Sequence, residues 1–273
     1  MSSLLCRLQR LECRFTWDLK RDDTDLENLS TRLQEHIALQ LGQQGALARS
    51  YSFLAYVRYL QGQPDEALSL LSQSEETTRK CYGEESERRL VVTYGDLAWL
   101  KYETGAITES QRYCSMVEET LRKFPTGPPA DLHPEVYGEK GWSYLKFSRS
   151  YYQKAVACFQ KALALQPDDS EWNAGCAIAL YRMESRPTSS QDEKSSPAVK
   201  QLRRALQIDP NNGVLSSMLA LKLLNFYKHR EAEDLVERAL RAEPDNPHVM
   251  RYVAKYLRIR IRANSCGSLQ KSL

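Results

Sequence analysis

Small and bulky apolar residues recur in this chain in a fixed order and at fixed distances. Ala155, Phe159, Ala162 and Pro167 set the pattern; Ala198, Leu202, Ala205 and Pro210 repeat it, as do Ala232, Val236, Ala239 and Pro244. Steps of four and then three residues keep the first three side chains on one helical face. Small side chains on that face let a second helix come close, and proline then prevents the helix from continuing. Weaker copies start at Ala67, with Leu71 and Ser74, and at Ser110, with Cys114 and Val117. Twelve residues before four of these anchors stand further small residues, Ala55, Ala98, Ser143 and Ala220, the expected contact points in each preceding helix.

Those offsets are the ones found in the second helix of a tetratricopeptide repeat. The pattern predicts an all-α solenoid, a superhelix of about five helix pairs plus a terminal helix, with starting anchors at 67, 110, 155, 198 and 232. Residues 1–48 read as a helical segment ahead of the array, and 49–124 as repeats one and two. The turn-rich PTGPPADLHP at 125–134 is a linker. Residues 135–262 hold repeats three to five and the terminal helix, with a polar loop SRPTSSQDEKSS at 185–196 inside the fourth pair. Residues 263–273 read as a disordered tail.

Composition narrows the class. The seven cysteines are odd in number and lack metal-ligand spacing, which points to reduced thiols and a cytoplasmic location. Arg7 and Arg10 follow a very short apolar run, so no signal peptide is expected, and no apolar stretch approaches the roughly 20 residues of a membrane span. The net charge of +3 hides an asymmetry: residues 199–262 carry 13 Lys or Arg against 7 Asp or Glu. A basic end of this kind is suited to polyanions. There is no phosphate-loop or HExxH motif, and His36, His133, His229 and His248 are scattered, so no enzyme and no cofactor are expected.

The terminal helix, about Pro247 to Arg262, carries an apolar stripe of Val249, Val253, Leu257 and Ile261. Away from it, His248, Arg251, Lys255 and Arg258 follow one another at three or four residues, at repeat positions that face the concave surface. Like charges so spaced destabilise a helix, and they suit either an anionic ligand or a solvated face.

Several strings carry a more specific likeness. CRFTW (13–17), LAYVRYLQGQ (54–63), GEKGWSYLKF (138–147), YYQKA (151–155), ALYRM (179–183), LALKL (219–223) and RYVAKY (251–256) closely resemble the interferon-induced proteins with tetratricopeptide repeats. The resemblance implies a superhelix with a basic channel that holds the 5′ end of single-stranded viral RNA, as a triphosphate or a cap, and sequesters the RNA or blocks its translation. It further implies roles for individual residues. Arg32 and His36 approach the terminal phosphates, with His36 replacing a glutamine. Lys146 matches a phosphate-binding lysine, Arg182 an arginine that holds the first nucleotides, and Tyr152 a tyrosine lining the pocket. Trp142 matches a tryptophan that stacks on a cap base, although its repeat position fits packing between helices equally. Arg251, Tyr252, Lys255 and Arg258 match the basic helix of the channel, with His248 standing where one relative has a tyrosine. Asn28 replaces an acidic residue implicated in metal coordination, so no metal is expected.

The family normally continues through further repeats, whereas this chain ends in IRANSCGSLQKSL. Two functions therefore stand side by side. One is an RNA-end binder. The other is a protein adaptor or assembly partner, forming homo- or hetero-oligomers with related repeat proteins through the Val249 to Ile261 stripe.

Overall fold

The computed structural model describes residues 2–41, 45–125, 133–184 and 193–270, and every regular element among them is helical. The linker at 126–132, most of the loop at 185–196 and the last three residues lie outside the described residues. The chain divides into two units, 1–167 and 168–273.

In the first unit, α1 (Ser2–Gln9) and α2 (Leu26–Ala38) precede three helix pairs. These are α3 (Ala46–Leu60) with α4 (Pro64–Tyr82), α6 (Val91–Glu103) with α7 (Ile107–Lys123), and α8 (Pro134–Phe147) with α9 (Tyr152–Leu165). A single turn, α5 (Ser86–Arg89), leads into α6. Pro64 and Pro134 open α4 and α8, where the missing N–H costs nothing.

The repeated framework is the packing seam. Ala67, Leu71, Ser74, Ser110, Cys114, Val117, Ala155, Phe159 and Ala162 are all buried, as are Ala55, Ala98 and Ser143 on the preceding helices. At two of these slots the serine hydroxyl reaches the neighbouring backbone: Ser74 Oγ donates to Ala48 O at 2.9 Å and Ser110 Oγ to Ala98 O at 2.8 Å. At Gly141 a Cβ would stand 2.9 Å from the buried Phe159 ring, so the close approach of α8 and α9 requires glycine.

Residues 2–41 are built into this unit. Arg7 bonds the Glu118 carboxylate of α7 through both oxygens, at 2.9 and 3.0 Å, and Trp99 of α6 donates to Leu8 O at 3.0 Å. Cys13 lies against Gly95, where a Cβ would be 2.7 Å away. Trp17 is fully buried beyond it.

The second unit holds α10 (Ser170–Met183) with α11 (Pro197–Ile208), α12 (Gly213–Leu224) with α13 (His229–Ala242), and α14 (Pro247–Gln270). Asp169, Ser196 and Asn212 cap α10, α11 and α12, each accepting from a backbone N–H three residues on. Ala198, Leu202, Ala205, Ala232, Val236 and Ala239 are buried in one apolar cluster with Met218 and Leu219 of α12. Glu184, at the end of α10, fastens this pair. Its carboxylate receives Lys222 Nζ of α12 at 2.5 Å and lies 2.8 and 2.9 Å from Ser196 Oγ at the start of α11.

The stripe on α14 differs from the sequence reading. Val249 and Val253 are buried, and the third buried position is Tyr256, while Leu257 and Ile261 are exposed. The helix also extends through residues 263–270, which the sequence pattern assigned to the tail.

Candidate nucleic-acid interface

On α8, Glu139, Trp142 and Lys146 stand three and four residues apart and share a face. Arg49 and Ser50 of α3, His36 of α2 and Arg14 of the turn Arg14–Thr16 meet it. All of these belong to the first unit.

The charges form a chain. Arg14, fully buried, pairs with Asp96 of α6 at 2.5 Å and with Glu139 Oε2 at 3.0 Å. The other Glu139 oxygen pairs with buried Arg49 at 3.3 Å. The Arg49 guanidinium lies over the Trp142 ring, 4.8 Å from its centroid, a favourable placement of a cation on an aromatic face. Trp142 also meets Phe159 at a ring distance of 5.4 Å and an interplanar angle of 81°. Among the described residues its indole N–H has no hydrogen-bond partner. Burial raises the Asp96 carboxyl to about 6, against the opposing pull of Arg14.

Lys146 sits at the end of this chain. Its ammonium donates to Ser50 Oγ at 3.2 Å, and His36 Nδ1 lies 3.0 Å from the same oxygen. Among the described residues Lys146 forms no ion pair within 4 Å. Loss of water and then the charge of Arg49 pull its pKa down to about 7, with Arg14 and Arg32 acting in the same direction and Glu139 opposing them. A cation without a paired carboxylate, surrounded by other cations and short of water, is a standing electrostatic cost that an anion would relieve. Arg32 is exposed on α2, and Tyr152 is partly buried at the start of α9.

The remaining sequence candidates belong to the second unit and are described within it. Tyr252 is partly buried and packs edge-on against Tyr181, ring centroids 6.1 Å apart. Arg251 lies over Tyr252 at 5.3 Å and 3.4 Å from His248 Nδ1. Arg251, Lys255 and Arg258 are exposed, and Arg182 and His248 are partly buried. Burial raises the Tyr181 hydroxyl to about 12.

Sequence reasoning missed Arg14, Arg49, Ser50, Asp96 and Glu139. One signal was present: Asp96 is the lone carboxylate in the apolar run from Leu90 to Leu100, where an ionised group needs a partner. No group of His, Cys, Asp or Glu able to hold a metal ion occurs among the described residues.

No family model matches the chain. It is 33% identical over 272 residues to the antiviral innate immune response effector IFIT1 of Homo sapiens, covering 97% of this chain and 54% of that protein. The structure is similar to that of an IFIT1 monomeric mutant with Gppp-AAAA: TM-score 0.83, 30% identity, 94% of this chain and 56% of that one. It is also similar to the human IFIT1 dimer with PPP-AAAA: TM-score 0.78, 31% identity, 98% of this chain and 57% of that one. The chain spans about half the length of the curated relatives it matches.

Proposed function

Because this chain is an IFIT-like protein, related over nearly its whole length to the interferon-induced proteins with tetratricopeptide repeats, we propose that it captures the 5′ end of single-stranded viral RNA, as a triphosphate or a cap, and thereby sequesters the RNA or blocks its translation. The observation that carries this reading is the placement of Lys146: its Nζ rests on Ser50 Oγ at 3.2 Å with no carboxylate within 4 Å among the described residues, and the charge of Arg49 works against its own. An oligophosphate supplies the opposite charge that this position lacks. Guanidinium and ammonium groups are the usual partners of phosphate oxygens. In the second unit, Arg251, Lys255 and Arg258 are exposed cations of the kind that bind phosphates.

The reading is of binding without catalysis, in the cytoplasm. No helix among the described residues is long and apolar enough to cross a membrane.

A second reading, assembly with itself or with related repeat proteins, draws on exposed apolar side chains of α14: Met250, Leu257, Ile259 and Ile261. The comparison of 5′-triphosphate with 5′-hydroxyl RNA of one sequence tests the first reading. Tight binding of the triphosphate alone, lost on Lys146→Glu, is expected, with a log-log salt slope of about −0.7 per phosphate neutralised. Equal retention of both RNAs rules the 5′-end reading out.

A further inference from the structure

On the face shared by α3 and α8, Arg49 and Trp142 are in direct contact. Arg49 belongs to none of the roles that the resemblance implied, yet its guanidinium covers a face of Trp142. It is fixed there from behind. Glu139 Oε1 holds Arg49 at 3.3 Å, and Glu139 is itself held through Oε2 by the fully buried Arg14. Phe159, also fully buried, occupies a second side of the indole. The ring is therefore enclosed by protein atoms on two sides, one of them cationic.

We infer that Arg49 is a specificity-determining residue: lying on Trp142 and anchored by Glu139, it occupies the stacking place that an additional 5′ base would require, so the first unit selects a bare oligophosphate end over a capped one. The inference rests on the RNA-end reading above and concerns which end is accepted. A planar base gains from an aromatic platform only when it can lie directly on the ring. To expose this face Arg49 must leave both the indole and Glu139, whose carboxylate then keeps Arg14 as its partner. A triphosphate demands none of this. It needs cations within reach, and Arg49 in place is one of them. The same residue therefore favours the uncapped end and obstructs the capped one.

The test measures binding of ppp-AAAA and Gppp-AAAA to the full chain by calorimetry. The native sequence and the variants Arg49→Ala, Arg49→Gln, Trp142→Ala and Arg49→Ala with Trp142→Ala are compared. Loss of a cation weakens both ligands, so the readout is the ratio of the two affinities. The native chain is expected to favour ppp-AAAA by about tenfold or more, and Arg49→Ala to reduce that preference by about tenfold, the worth of one base stack. With Trp142 already absent, removing Arg49 should leave the ratio unchanged, a coupling that a purely structural role for Arg49 would not produce. Arg49→Gln keeps most of the side-chain volume and gives the same ratio change if the alanine variant unfolds. Equal affinity of the native chain for both ligands overturns the inference while leaving RNA-end binding intact. So does a ratio untouched by either Arg49 substitution. Binding of neither ligand overturns both proposals together.

Discussion

Lys146 Nζ lies 3.2 Å from Ser50 Oγ, and Ser50 Oγ in turn lies 2.9 Å from the Ala46 carbonyl oxygen and 3.0 Å from His36 Nδ1. A hydroxyl has one proton to give and two positions at which to accept. Lys146 donates to the serine oxygen, while the direction of the Ser50–His36 contact follows from which ring nitrogen of His36 carries the proton. A neutral amine keeps hydrogens to donate, so Lys146 can lose its charge without losing this bond.

That titration gives binding a distinctive pH dependence. With a pKa near 7, lowered first by burial and then by Arg49, Lys146 passes from ammonium to amine as pH rises through neutrality. Affinity for an oligophosphate is expected to fall between about pH 6 and about pH 8.5. The terminal phosphate, gaining charge above its second pKa of about 6, pushes the other way. Lys146→Arg, which keeps its proton, should remove the decline. Calorimetric titrations of ppp-AAAA across this range measure it; identical slopes for the native chain and the arginine variant would contradict the assignment.

The same group makes ligand-free stability depend on pH, with a definite sign. Its folded pKa of about 7 lies below the unfolded value, so between about 7 and about 10.4 the unfolded state binds more protons. Stability contributed at this site therefore rises with pH across that window and is flat below it. Urea midpoints at about pH 6.5 and about pH 9 should differ for the native chain by more than for Lys146→Met, which carries no titrating group.

Arg14 and Asp96 hold the N-terminal segment to α6, and both are fully buried. Asp96→Ala leaves an arginine inside the protein with Glu139 as its remaining carboxylate. A loss of about 3–5 kcal/mol is expected, the usual cost of stranding one member of a buried pair. Equilibrium denaturation of the variant measures the loss; a cost below about 1 kcal/mol would show that water or a shifted backbone reaches the guanidinium.

Gly141→Ala sets two effects against each other. Alanine favours a helix over glycine by about 1 kcal/mol, but the new methyl would meet the Phe159 ring at 2.9 Å. Phe159 is fully buried and packed against Trp142, so it has no free direction in which to yield. Overpacking is expected to win, with net destabilisation of about 1–3 kcal/mol and a change in tryptophan fluorescence.

On α14, buried and exposed apolar positions should respond differently. Val253→Glu places a carboxylate inside the second apolar cluster and is expected to melt that unit, read by circular dichroism. Leu257→Glu with Ile261→Glu alters exposed side chains and should leave the melting temperature within a few degrees. If the double variant also lowers the mass measured by light scattering, the assembly reading gains its contact surface.

The scaffold was legible because its rules are local. Ala155, Phe159 and Ala162 lie within two helical turns, and proline signals the end of the helix without reference to distant contacts. The α14 stripe was misassigned for a geometric reason. Each step of four residues advances about 40° past a full turn, so from Val249 the stripe drifts by about 120° at Ile261. Tyr256, seven residues on, stays within about 20° of the starting direction, and it is the residue found buried. The chemistry around Lys146 was only half legible. Lysine at an apolar repeat position was visible, but Arg49 meets Glu139 across 90 residues and Arg14 meets Asp96 across 82, pairings that no local spacing encodes.

Glu184, joined to Ser196 and Lys222, ties the ends of α10 and α11 to α12 through side chains. One carboxylate thus serves three helices, and its removal would deprive Lys222 and Ser196 of their shared acceptor in a single step.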